Sequence, residues 1–124
     1  MIKVIIKRNC IPGQETRLEG LLTDLRVSCM RNISYISGET LVKVDNPQTY
    51  ITIGTWTRVE GWKGWQNCQE RQELLQMVAV CIDSEPSVSV YSALGNSFGG
   101  FEMDEYFSSL ISESYLIHAD KGMN

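Results

Sequence analysis

The sequence predicts an α+β fold built around one antiparallel sheet. Two observations carry this: β-rich runs and amphipathic helical stretches follow in the order β-α-β-β-α-β, and a tight turn joins the two central strands into a hairpin. At 124 residues the chain suits one domain with an ordinary core and at most an appended tail.

Residues 2–8, IKVIIKR, are rich in β-formers, and Pro12-Gly13 then turns the chain. Apolar residues at Leu18, Leu21, Leu22, Leu25 and Cys29 form a helical stripe, with Glu15, Glu19, Asp24 and Arg26 largely outside it. The run NISYISGETLVKVDNPQTYITIGTW reads as strands two and three around a turn at Asp45-Asn46-Pro47-Gln48, with Gly38 marking a bulge or bend. Thr57-x-x-Glu60 matches a capping box and predicts a helix starting immediately after Trp56. A second stripe, Leu74, Leu75, Val78 and Ile82, runs on until Asp83-Ser84-Glu85-Pro86, and a break near Asn67-Cys68 would divide the segment into two helices. SVSVYSAL, residues 87–94, alternates as a fourth strand. The order is that of a ferredoxin-like βαββαβ domain over residues 1–94. Residues 95–124 then read as a Gly-rich hinge and a C-terminal amphipathic helix, capped by Asp104 and carrying Phe107, Leu110 and Ile111.

Composition excludes several functions. The net charge is −4 and the basic residues are scattered without a stripe for phosphates to follow, so nucleic acid is not an expected partner. The opening MIKVIIKRNC is too short and too charged to span a membrane or serve as a secretory signal, which makes the cytosol the expected compartment. Cys10, Cys29, Cys68 and Cys81 form no Cys-x-x-Cys pair and the single histidine is His118, so no metal site is expected and the cysteines read as free thiols.

Alternate residues of a strand point to opposite faces. Strand three places Ile51 and Ile53 on one face and Tyr50, Thr52, Gly54 and Trp56 on the other; strand four sets Val88 and Val90 against Ser87, Ser89 and Tyr91. Grouping the aliphatic sets predicts that the helices cover Ile51, Ile53, Val88 and Val90. The Tyr50/Trp56/Tyr91 face is then left for a second copy, the tail or a ligand, because an exposed apolar patch of that size is unusual on a monomer. Its small neighbours leave room for a small-molecule pocket, and a tightly packed dimer interface has the same lining.

All three tryptophans fall within TWTRVEGWKGWQ, residues 55–66. Trp56 closes strand three, and Trp62 and Trp65 share one side of the next helix, where they could bury for roughly 2–3 kcal/mol each or wall a slot for a planar ligand. This pattern over TWTRVEGWKGWQNCQERQEL resembles the antibiotic biosynthesis monooxygenase-like domains of the dimeric α+β barrel group. Members of that group end strand three with Trp, place an aromatic residue six positions later, and His or Trp three beyond. The PG turn before helix one and the D-N-P turn before strand three fit as well.

The resemblance implies a homodimer whose sheets pair into a barrel, and oxidation of a quinol or small hydroxylated aromatic in a cavity between sheet and helices without a bound cofactor. Trp65 becomes the candidate catalytic residue, and Trp56, Trp62, Tyr50, Tyr91, Asn9 and Arg71 the candidate substrate-binding residues. The family's other functional positions depart: the His of the haem-degrading branch falls at Leu75 and its Asn near Ile6, with Asn9 out of register. The Asn and Tyr of the polyketide-oxidising branch fall at Gly61 and Arg71, and the His of the quinol branch at Trp65. These departures keep open a non-catalytic small-molecule-binding or assembly barrel and, more weakly, haem binding.

Overall fold

The structure is a computed structural model and describes residues 1–94. Strand β1 (Ile2–Asn9) leads to helix α1 (Glu15–Cys29), then to the hairpin of β2 (Tyr35–Lys43) and β3 (Asn46–Trp56). Helices α2 (Val59–Gln66) and α3 (Gln69–Ala79) follow, and β4 (Ser87–Ser92) is the last element of the described residues. The strands lie in the order β2-β3-β1-β4, all neighbours antiparallel, so the ferredoxin-like architecture expected from the sequence is present. The expected tail helix lies outside the described residues.

Alternation in β1 sets the core. Ile2, Val4, Ile6 and Arg8 are buried, while Lys3 and Lys7 face outward. Leu18, Leu21, Leu22 and Leu25 of α1 pack onto this face as their spacing predicts, and burying each removes enough apolar surface to contribute about 1.5–3 kcal/mol. The four cysteines are free, with Cys10 and Cys81 fully buried.

Register overturns the sequence-based sorting of faces. Ile2, Val4, Ile6 and Arg8 stand opposite Trp56, Gly54, Thr52 and Tyr50, so the helices cover the aromatic side of β3. Val4 and Ile6 also stand opposite Val90 and Val88, which puts those valines on the same face as Trp56 and Tyr50, and leaves Ile51 and Ile53 on the other face with Ile5 and Tyr91. Each strand alternates as expected; the error lay in joining faces of different strands by chemical type, when only the ladder fixes which faces coincide.

Three local expectations are also corrected. The hairpin turn is Val44-Asp45, and β3 has begun by Asn46; Lys43 pairs with Asn46 and Val42 with Tyr50, so Pro47 sits in a bulge where a ladder donor is dispensable. Gly38 is not itself a bulge: the register shift falls between Tyr35 and Ser37, and Gly38 makes room for the Tyr35 hydroxyl, which a Cβ would strike. No capping box forms. The Thr57 N–H donates to the Ser34 carbonyl at 2.8 Å, and the helix starts two residues later behind an extended Arg58. The break at Asn67-Cys68 is present and divides α2 from α3.

A polar clamp ties α1 to α3. The buried Ser28 hydroxyl and the Arg31 guanidinium, the latter at 2.8 Å, both donate to the same carboxylate oxygen of Glu70. The Ser28 hydrogen bond, reinforced by Arg31, holds the Glu70 carboxyl below the usual glutamate range. A depressed carboxyl contributes stability above its unfolded pKa and loses it as pH falls through the folded value. Glu70→Gln is therefore expected to lower the thermal midpoint at neutral pH, with parent and variant converging on acidification below about pH 4. Melting curves across that range check this; a pH-independent gap would show that the charge is immaterial.

Candidate functional site

Between the covered sheet face and the helices lies a cavity of about 60 Å³. The strands supply its floor through Val4, Ile6, Thr52 and Gly54, small or aliphatic residues that keep the floor low. Tyr35, Trp56, Trp62 and Trp65 form its aromatic walls. Arg26 of α1 and Thr40 of β2 line it but are solvent-exposed, which places the mouth at the free edge of β2.

The aromatic cluster explains why the tryptophans are adjacent in sequence. Trp56 ends β3, and the Arg58 turn sends α2 back across it, so Trp62 meets Trp56 edge-on with centroids 5.9 Å apart and planes at 65°. Tyr35, across the hairpin from Trp56, meets its other side at 5.3 Å and 71°. Both are the edge-to-face arrangement that ring quadrupoles favour. Trp62 and Trp65, three residues apart, both turn inward, and the Trp62 indole N–H is buried without a hydrogen-bond partner.

Two buried cations complete the lining. Arg71, on the first turn of α3, is only 2% exposed and lies with its guanidinium carbon 5.3 Å from the Trp62 ring centroid, a cation–π contact. Arg8 of β1 is 3% exposed; its Nη1 donates to Thr52 Oγ1 at a long 3.5 Å, and its Nε has no partner. Burial lowers Arg8 to about 10 and, with the nearby charge of Arg8 adding to it, Arg71 to about 9. Both therefore remain charged at neutral pH. Burial pushes the Cys29 thiol in the wall up to about 12, which keeps it protonated and unreactive.

Of the residues singled out from sequence, Trp56, Trp62, Trp65 and Arg71 come together here. Tyr50 is buried on the same face but points toward α1, where its hydroxyl donates to Glu19 Oε2 at 2.6 Å. Burial and that bond raise the Tyr50 pKa well above the phenol range, so it is not a base. Tyr91, 56% exposed, and Asn9, which accepts from the Thr49 hydroxyl at 3.3 Å, belong to the opposite face of the sheet. Cys68 sits half-buried at the α2–α3 break and does not line the cavity.

Arg8 and the wall residue Tyr35 are site residues that sequence reasoning missed, and of the two Arg8 carries a charge. Its parity with Ile2, Val4 and Ile6 was a usable signal, since a charge on the covered side of an otherwise aliphatic strand is exceptional. Gly61, where the resemblance would place an Asn, turns away from the cavity. A Cβ there would collide with the Ser34 side chain and sit 3.5 Å from the Trp56 ring, so the position has no room for a functional side chain.

No family model matches the sequence, and no curated protein matches it. Solved structures do. An antibiotic biosynthesis monooxygenase aligns over 76% of this chain and 99% of its own with a TM-score of 0.69 and 15% identity. SnoaB, a cofactor-independent oxygenase from Streptomyces nogalater, aligns over 77% and 96% with a TM-score of 0.67 and 11% identity. A conserved protein from Methanosarcina mazei Go1 aligns over 73% and 89% with a TM-score of 0.69 and 17% identity. Identities this low speak to architecture, and the architecture is shared over nearly the full length of each of these proteins: the described chain has the α+β fold of the antibiotic biosynthesis monooxygenase-like domains.

Proposed function

We propose that this protein is a cofactor-independent oxygenase acting on a small, planar, hydroxylated aromatic compound held between Trp56, Trp62 and Trp65. The observation that carries the reading is the pairing of aromatic walls with two buried guanidinium groups in one cavity. SnoaB, which shares the fold, is a cofactor-independent oxygenase, and this supports the reaction class.

The chemistry follows from what such a cavity does to a phenol. Positive charge in a poorly hydrated site stabilises the phenolate over the phenol, so the proton leaves to water at the mouth without a dedicated base. The phenolate is the electron donor: it passes one electron to dioxygen, the resulting radicals join at a ring carbon, and loss of water leaves a quinone. Substrate and dioxygen give quinone and water, with the ring oxidised and oxygen reduced. Trp65 and the other rings hold the substrate plane and exclude bulk water.

Oxygen consumption measured with a panel of phenols and hydroquinones tests the reading. At least one compound is expected to consume oxygen faster with protein than without, and Trp65→Ala to slow it by about tenfold or more through lost positioning. If every compound reacts at the protein-free rate, the oxygenase reading fails. Binding without turnover would then favour a small-molecule carrier.

The uncovered sheet face supports a homodimer. It carries Ile5, Ile51 and Ile53 with the more exposed Leu41 and Tyr91, an apolar patch flanked by Lys3 and Lys7. We place a second copy of the chain there. Light scattering is expected to give a dimer mass for the parent and a monomer for Ile53→Glu; a monomeric parent at micromolar concentration would remove this proposal.

A further inference from the structure

A phenol of the kind proposed above needs one stabilised oxygen, yet the cavity holds two buried guanidinium groups, with the exposed Arg26 and Glu39 at its mouth. Burying a charge is costly unless an opposite charge or hydrogen-bond acceptors compensate it. Among the described residues no salt bridge reaches Arg8. Tyr50, its cross-strand neighbour, is already committed to Glu19. Arg8 Nε is left as a buried donor without an acceptor, on the lining of the cavity. Arg71 adds a second positive charge, close enough for Arg8 to disfavour its protonated state.

From this geometry we infer that Arg8 and Arg71 form an anion-holding site, and that the ligand class it takes is a single-ring hydroxyaromatic carboxylate. The inference rests on the aromatic-ligand reading of the same cavity, but not on oxygen chemistry. A carboxylate matches for two reasons. It arrives already ionised, which suits a site whose phenol, Tyr35, and thiol, Cys29, are both held protonated by burial. It also presents two coplanar oxygens to guanidinium forks, the geometry arginine recognises best. The cavity of about 60 Å³ suits a small ligand better than a polycyclic one.

The test compares salicylate with salicylamide, its neutral isostere, and with phenol, by calorimetry on the full chain at neutral pH. Salicylate is expected to bind about tenfold or more tightly than either neutral compound. Arg8→Gln and Arg71→Gln should each remove most of that advantage. Should a variant fail to fold, the salicylate–salicylamide comparison on the parent chain still decides. Equal affinity for the two, or no salicylate binding at all, overturns the site. The two readings fail separately: salicylate binding with no oxygen uptake from any phenol sinks only the oxygenase, and phenol turnover together with equal affinity for salicylate and salicylamide sinks only the anion site.

Discussion

Replacing Trp56 with alanine is expected to cost about 3–5 kcal/mol of unfolding free energy, a large share of the roughly 5–15 kcal/mol a domain commands. Trp56 is 1% exposed and stands where three elements converge: it closes β3, meets Tyr35 of β2 edge-on and supports Trp62 of α2. Deleting the indole removes its buried surface, leaves a hole that the short β3–α2 connection cannot close, and forfeits two edge-to-face contacts of about 0.5–1.5 kcal/mol each. The hole would also merge with the ligand cavity, since Trp56 is one of its walls. Urea unfolding followed by circular dichroism measures the loss, and is preferable to fluorescence because the substitution removes a reporter. Trp56→Phe should recover about half of it. A loss below 1 kcal/mol in Trp56→Ala would mean that the aromatic cluster does not hold α2 to the sheet.

The second large effect is expected at a residue with no side chain. Gly61 lies where α2 crosses the Ser34 segment, and a Cβ would overlap Ser34 Cβ and Oγ. Ser34 cannot easily yield. It is buried, its N–H donates to Asn32 Oδ1 at 2.9 Å, and its carbonyl accepts from Thr57, so the loop is pinned on both sides. Alanine favours helix over glycine by up to 1 kcal/mol, yet Gly61→Ala should destabilise by about 1–3 kcal/mol because the helix must lift off the sheet. Ser34→Gly should restore part of the loss, and a double-mutant cycle by chemical denaturation measures that coupling. Gly64, on the same helix with open space around its Cα, is the control: Gly64→Ala should be stabilising.

The elements were legible because each rests on short-range pattern. The α1 stripe from Leu18 to Leu25, the alternation of β1 and β4, and the break at Asn67-Cys68 all stand where spacing put them. Local signals failed where a distant partner competed. The threonine of the Thr57-x-x-Glu60 motif has its N–H drawn to Ser34, 23 positions away in the chain, and the helix starts late in consequence. At the candidate site, clustering of the tryptophans was visible, and so was Arg71 as a candidate. Tyr91 and Asn9 were grouped with them because parity within a strand says nothing about which face of the next strand it joins.

What the sequence by itself determined is therefore the list of elements, their order and the concentration of aromatic residues at the β3–α2 junction. Periodicity and composition suffice for these, since both are properties of neighbouring residues. Tertiary structure alone decided which sheet face the helices cover, that Arg8 joins Arg71 inside the cavity, and that Gly61 is a contact point rather than the place of a polar group. Those outcomes depend on hydrogen-bond register between strands and on van der Waals contact between segments far apart in the chain, and no local pattern encodes either.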